Sequence, residues 1–415
     1  MQLMDKPLPI LCDSKHCTAC SACANICRNN AIKMIEDGHG ELHPFIDGNN
    51  CIRCGLCERV CPELYNNVLC KYDDPEVYCC WLKSSEDRKQ STSGGAGYAI
   101  ACAIIKMGGH VWGAAYDENM TVCYTEANTI EELRAIQKSK YVQSIVGNSY
   151  SHIEKELQKG ELVLFTGTPC HVKGLRSYLR KDYSNLLTVD LVCHGVPGHG
   201  VFRKYKEWLE EKYKDKMIFF DFRPKEKNGQ ERTYRTKAYF RYIGVKNIKL
   251  SENGYFLGYQ RNVFLRDACF QCSCKGKFRY SDMTISDFWG IGKVMPFRKN
   301  TQRAYGISML ALNSEKGKHF LPHIQTYLFM EKRSYDEASF CNHQYYESSK
   351  PSLVRERFWR DWNLLDWEQL NNVYFQYTKR DKISFLVKKM LPPICYYMLN
   401  YWKNGRRGIN ERNNV

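Results

Sequence analysis

Two runs of cysteine hold most of the chemistry available to this sequence. Residues 17–27 read Cys17-x2-Cys20-x2-Cys23-x3-Cys27, and residues 51–61 repeat the spacing as Cys51-x2-Cys54-x2-Cys57-x3-Cys61, followed by Pro62. The period of this duplication is 34 residues. Thiolates two or three residues apart are metal ligands or redox groups, because only a metal satisfies several of them at one point. Three cysteines at x2 spacing wrap one face of a cubane, and the fourth, carried away on a short helix, ligates the other cluster. Cluster one then takes Cys17, Cys20, Cys23 and Cys61. Cluster two takes Cys51, Cys54, Cys57 and Cys27. Zinc is the competing chemistry, but zinc knuckles use four sulfurs as two separated pairs, not eight in two runs of four. The spacing reads as two 4Fe-4S clusters.

Over its whole length this segment resembles bacterial two-cluster ferredoxins. Arg28 stands where that family usually has proline, a chain stop and not a ligand. Such clusters move single electrons and have no substrate pocket of their own. They imply a partner site elsewhere in the chain.

The chain has 415 residues, 43 % apolar and 26 % charged, a globular composition and not a disordered one. It holds 21 cysteines, and in a reducing compartment that number argues against a disulfide scaffold. No apolar run reaches the 18 or so residues that span a bilayer, and residues 1–11 lack the pattern of a secretory signal. The expected location is the cytoplasm. Net charge is +16, yet residues 1–72 carry seven Lys/Arg against eight Asp/Glu, so the basic excess lies downstream.

The elements that must position a partner site follow a polar linker at Asp73, Asp74 and Pro75. Strands are expected at Val77–Leu82, Val111–Tyr116, Leu162–Thr166 and Leu187–Cys193. Helices are expected at Ala96–Met107, Ile130–Lys138, Ser151–Lys159, Val172–Arg180 and Val201–Tyr213. This alternation suggests an α/β core with binding loops at strand ends. Residues 216–249 read as strand-rich and basic, as in Thr233–Ile243. The division is an α+β ferredoxin-like two-cluster domain (1–72), an α/β domain (73–320) that the resemblance drawn from its motifs below implies is flavin-binding, and a mostly helical C-terminal region with a basic tail (321–415).

Four loops in the middle domain could carry chemistry. Ser91-Thr92-Ser93-Gly94-Gly95 precedes an apolar helix, where backbone N–H groups and the helix N-terminus suit a pyrophosphate; a plain Ser/Gly cap is the bland alternative. Gly167-Thr168-Pro169-Cys170 and Cys193-His194-Gly195-Val196-Pro197 each place a cysteine at a strand end. There the alternative is a small buried hydrophobe. The fourth is Cys269-x2-Cys272-x-Cys274, ahead of Asp282-Met283-Thr284-Ile285-Ser286-Asp287-Phe288-Trp289-Gly290. With Cys193 or Cys170 these three cysteines could hold a third cluster.

Taken in order from about Cys17 to about Asn313, the STSGG, SKYVQS, GTPC, CHGVP and DFWG segments resemble the beta-subunit family of coenzyme F420 hydrogenase and dehydrogenase. The resemblance implies FAD beside a 4Fe-4S cluster and hydride exchange with a deazaflavin. A flavin takes two electrons as hydride and releases them singly, which joins one-electron clusters to a two-electron substrate. The implied cofactor-binding residues are Ser91, Ser93, Gly94, Gly95, Lys140, Ser144, Gly167 and Thr168, with Lys140 and Ser144 on flavin phosphate or an anionic substrate. A solvated loop is the alternative for Lys140. A third 4Fe-4S cluster would use Cys193, Cys269 and Cys272, with Cys170 or Cys274 fourth. His171, Gly198, Ser286 and Cys274 depart from the usual pattern. These departures resemble a bacterial branch of the family associated with surface-polysaccharide synthesis.

The resulting expectation is an iron-sulfur flavoprotein oxidoreductase. It takes electrons from ferredoxin or another donor protein, through the clusters to FAD, and on to a small organic acceptor, F420 or a polysaccharide-pathway substrate. The alternatives are a non-catalytic electron-transfer adaptor and a redox sensor. Nucleic acid is not an expected partner, since the Arg232–Tyr242 interleaving fits an alternating strand and no recognised module accompanies it. Catalytic residues are not assigned. His152, His319, His323 and His343 are scattered, and Cys12, Cys70, Cys79, Cys80, Cys102, Cys123, Cys341 and Cys395 read as ordinary thiols. Residues 379–412 hold nine Lys/Arg against two Asp/Glu around two short apolar stretches split by Pro392-Pro393. That is the composition of an interfacial anchor for the inner membrane face, with a helix pair packed on the core as the alternative.

Overall fold

The 34-residue duplication is visible in the backbone. Ala19 and Ser21 take left-handed φ values of 50° and 57°, and one period later Arg53 and Gly55 take 56° and 70°. Three of these four carry side chains, which meet a steric penalty in that region. Each turn opens a short helix, Ala22–Ile26 or Leu56–Arg59, and the two helices pack together. β1 (Ile32–Glu36) and β2 (Leu42–Ile46) form an antiparallel hairpin beside them. This computed structural model describes residues 6–65, 68, 72, 75–231 and 236–376. The basic tail at 379–412, Cys70 and Cys395 lie outside the described residues.

The rest is built on an eight-stranded sheet. Its strands are β3 (Glu76–Leu82), β4 (His110–Tyr116), β5 (Val122–Ala127), β6 (Val163–Gly167) and β7 (Leu186–Leu191), then β11 (Met283–Asp287), β12 (Ser308–Leu312) and β13 (Leu328–Arg333). Between them in the chain, β8 (Met217–Asp221), β9 (Thr236–Phe240) and β10 (Gly244–Ile248) form a separate antiparallel sheet. The large sheet runs β13-β3-β12-β11-β7-β6-β4-β5, with β4, β6, β7 and β11 parallel and the outer strands antiparallel. The parallel strands therefore present one common carboxyl edge, where loops meet ligands in such sheets.

Alternation along the strands sorts the core onto two faces. Leu164 of β6 joins Ala99, Ile100 and Ile104 of helix Ala96–Lys106, while Val163 and Phe165 point the other way. There they meet Tyr150, Val172 and Leu175 from helices Ser149–Gln158 and Pro169–Leu179. A third core is mostly aromatic. Phe202, Tyr205, Phe220, Tyr255, Phe264, Phe358 and Trp367 are all buried in it. Much of the tyrosine and tryptophan that a basic protein could offer to bases is thus internal.

Three expectations change. The boundary at 320 falls inside helix Glu315–Gln325, and β13 beyond it pairs with β3, so the sheet does not end there. Helices Arg355–Asp361 and Trp367–Tyr374 fill the aromatic core and are not an appendage to it. The helix expected at Ile130–Lys138 is one turn, Leu133–Ile136, closed by an extended Gln137 and a left-handed Lys138.

Candidate metal centres

Folding brings Cys61 of the second run to the first. Cys17, Cys20, Cys23 and Cys61 line one cavity. Burial raises the Cys23 thiol, and the nearby Cys20, Cys17 and Cys61 add to the effect. The backbone sets the sulfur positions: Ala19 N–H donates to Cys17 Sγ at 3.4 Å, and Arg53 N–H donates to Cys51 Sγ at the same distance. Ala31 N–H likewise donates to Cys27 Sγ at 3.3 Å. Amide bonds to sulfur favour thiolate and tune a cluster's potential. Cys54 and Cys57 sit on the matching second loop and on helix Leu56–Arg59.

A second set of thiols gathers at the carboxyl edge of the sheet. Cys170 lies in the first turn of helix Pro169–Leu179, Cys193 just beyond β7, and Cys269, Cys272 and Cys274 in the loop before β11. Burial raises Cys170, and Cys272, Cys193 and Cys269 each raise it further. Burial pushes Cys269 up to about 12, with Cys193 adding to it. Cys272 moves the other way because the Cys274 thiol hydrogen-bonds to it. Among the described residues, the groups whose ligand atoms all fall within 4.8 Å are Asp37/Glu41/His43 and His110/Glu126/Glu156.

Cations, two of them buried, stand beside both sets, which suits an anionic cluster. Lys173 Nζ bridges Glu63 Oε1 at 3.2 Å and Ser273 Oγ at 3.0 Å. Lys275 donates to the Cys193 carbonyl oxygen and to Gln344 O. Arg266, 1 % exposed, donates to Cys17 O and Leu42 O, both at 3.1 Å, and stands 3.5 Å from Glu41. Donor chemistry and charge both fit 4Fe-4S clusters at the two sites.

The two sites share one helix. Gly174 of Pro169–Leu179 meets Cys20 so closely that an added Cβ would lie 2.6 Å from Cys20 Cβ. Cys170 is four residues earlier, about 6 Å of helical rise. His171 between them is buried, donates or accepts at Nδ1 with Tyr124 OH at 2.9 Å, and is held down to about 3 by burial. It stays neutral.

The expected flavin residues are placed differently. Ser93 N–H donates to Glu231 Oε1 at 2.6 Å, Gly94 N–H to Ser308 Oγ at 2.9 Å, and Gly95 N–H to Thr92 O at 3.2 Å. Ser91 Oγ donates to Asp87 O at 2.8 Å. Lys140 Nζ directs its three donors to Ala114 O, Ala135 O and Gln137 O, and burial lowers it to about 7. Gly167 abuts the Tyr124 hydroxyl, and the Thr168 hydroxyl lies 3.3 Å from Cys170 Sγ. Ser144 is half-buried. In this structure the amides of Ser93, Gly94 and Gly95 and the Lys140 ammonium each have protein acceptors. Spacing gave no hint of Cys12, which lines the first cavity, or of Lys173, Arg266 and Lys275.

Cysteines arranged this way, next to buried cations and a shared helix, define an iron-sulfur electron-transfer protein. Residues 16–64 match the 4Fe-4S dicluster domain. Residues 160–338 match the family described as the C terminus of the beta subunit of coenzyme F420 hydrogenase/dehydrogenase. The chain therefore carries a segment that matches the 4Fe-4S dicluster domain and, downstream, one that matches the C-terminal domain of that family. Ferredoxin-type protein NapF of Escherichia coli K12 is 38 % identical over 48 residues, 12 % of this chain and 28 % of the relative. NapF from the O157:H7 strain matches equally. The chain thus spans little more than a quarter of these relatives. A chain of the F420-reducing NiFe hydrogenase complex from Methanosarcina barkeri is 15 % identical, with a TM-score of 0.40 over 63 % of this chain and 82 % of that one. Among the described residues no helix is long and apolar enough to cross a membrane.

Proposed function

We propose that the protein relays electrons from a ferredoxin or similar donor, through two clusters in residues 17–61 and a third at Cys193, Cys269 and Cys272, to an organic acceptor. The observation that carries this reading is helix Pro169–Leu179, which holds Cys170 one turn from the residue that touches Cys20. A carrier built only for single-electron shuttling needs residues 1–72 alone. Extending the sulfur path into the sheet's carboxyl edge argues for chemistry there. FAD, which the family resemblance implies, would supply exchange between single electrons and hydride when bound. F420 or a polysaccharide-pathway substrate is the proposed acceptor, and residues 379–412 are proposed to meet an anionic membrane surface.

The engaged amides of Ser93, Gly94 and Gly95 favour a second reading, an adaptor that passes electrons to a partner oxidoreductase. One experiment separates the two. The full chain is purified anaerobically and assayed for iron, sulfide and flavin, then for dithionite-driven reduction of F420 and of candidate sugar nucleotides. About twelve irons per chain with stoichiometric FAD and turnover support the enzyme. Clusters without flavin or turnover support the adaptor, and a colourless zinc protein rejects both.

A further inference from the structure

Five cysteines, not four, line the cavity that joins the first run to Cys61. The fifth is Cys12. It lies five residues before Cys17, outside both runs, at a spacing that belongs to no ligand pattern. Its position comes from tertiary contacts. Arg53 Nη1 donates to Lys6 O at 2.5 Å, and Ile10 N–H donates to the Glu58 carboxylate. Both anchors belong to the second run, so residues 6–12 lie across it and deliver Cys12 to Cys61. Cys12, Cys17 and Cys61 thus line one cavity. Leu11 and Pro62 close the same wall of the cavity.

Cys61 is also the one ligand of this set that the second run supplies. Cys17, Cys20 and Cys23 lie within seven residues, on a turn and the start of helix Ala22–Ile26, whereas Cys61 follows helix Leu56–Arg59, which packs on that helix. We propose that Cys12 is an exchange ligand of the first cluster, able to take the iron that Cys61 holds. This rests on assigning that cluster to Cys17, Cys20, Cys23 and Cys61. In the exchange the Fe–S bond to Cys61 breaks, an Fe–S bond to Cys12 forms, and the Cys12 proton passes to the Cys61 sulfur. No electron is gained or lost, so no oxidant is needed. The movement required is a rotamer change at one or both thiols. Its effect is a cluster that keeps four thiolates when Cys61 is withdrawn or chemically modified.

The test uses the full chain, purified anaerobically, with iron and acid-labile sulfide counted and the reduced clusters read by EPR. Wild type and Cys12→Ala are expected to carry equal iron. Cys61→Ala is expected to retain that iron with an altered EPR spectrum. Adding Cys12→Ala to Cys61→Ala is expected to remove about four irons, one cubane. Cys23→Ala is expected to lose them even with Cys12 present. Equal loss in Cys61→Ala with and without Cys12 overturns the proposal. Absence of a cluster at this site in wild type overturns instead the assignment beneath it. Should Cys61→Ala fail to fold, Cys61→Ser preserves the shape of the site: Mössbauer spectra showing four thiolate-bound irons support exchange, and an oxygen-bound iron overturns it.

Discussion

Gly174 lies against Cys20 with no room for a side chain: a Cβ at 174 would stand 2.6 Å from Cys20 Cβ and 2.9 Å from its Sγ. The glycine is helical and needs no unusual φ. What requires it is the close approach of helix Pro169–Leu179 to the first cysteine run. Gly174→Ala gains helix propensity but overpacks this contact, a net cost of about 1–3 kcal/mol. Tm should fall, and the first cluster's EPR signal should weaken or change while the signal assigned to Cys193, Cys269 and Cys272 persists. An unperturbed first cluster in a folded Gly174→Ala chain would show that the helix does not bear on it.

The fourth ligand of the third site is open to a direct test. Cys170 comes from a separate element, the start of helix Pro169–Leu179, whereas Cys274 is two residues from Cys272 on the same loop. Cys170→Ala should therefore lose about four irons, and Cys274→Ala should retain them. Iron counts on the two full-length variants decide this, and the reverse pattern would make Cys274 the ligand.

Local spacing made the two cysteine runs legible, because all the information lies within eleven residues and the left-handed turns repeat with the same period. The α/β alternation was legible for the same reason. What escaped depends on distant partners. Cys12 has no motif and is placed by Arg53 and Glu58. β13 lies past the boundary drawn at 320 and is reached through helix Glu315–Gln325, while its partner β3 is more than two hundred positions back in the chain. The Ser91–Gly95 loop reads as an anion cradle because the small residues that admit a phosphate also admit a neighbouring strand. Its acceptor Ser308 is more than two hundred positions away.

That strand contact makes Gly94 a stability residue first. A Cβ there would meet Cys80 O at 2.3 Å and Ser308 N at 2.7 Å, both backbone atoms that cannot rotate aside. Gly94→Val is expected to give little soluble protein, whatever the flavin content of wild type. Ser308→Ala is the cleaner probe. It frees the Gly94 amide without adding bulk, at a cost of about 1–3 kcal/mol for a buried donor left unpaired. If an anion binds this loop, FAD affinity measured by fluorescence quenching should rise or hold in Ser308→Ala. A fall in proportion to Tm would mean that the loop serves packing alone.

Lys173 offers a readout of the path between the sites. Its ammonium is 3 % exposed and spans Glu63, two residues past Cys61, and Ser273, between Cys272 and Cys274. Burial works against the charge, but Glu63, Cys274 and Tyr280 outweigh it and raise the lysine above its ordinary value. It therefore stays protonated throughout the pH range where the clusters survive. Reduction adds negative charge to a cluster, so a fixed cation nearby favours the reduced form and raises the potential. Lys173→Met removes that cation while keeping most of its volume. At about 8 Å and an effective dielectric of about 20, one charge contributes about 2 kcal/mol, an upper bound that screening reduces to tens of millivolts. EPR-monitored titration should show the first and third signals both moving to more negative potential, with the cluster of Cys51, Cys54 and Cys57 moving least. Removing Glu63 as well, in Lys173→Met with Glu63→Gln, should return part of the shift. Unchanged potentials in a folded, fully loaded Lys173→Met chain would mean that this buried ammonium lies too far from either set of sulfurs to matter.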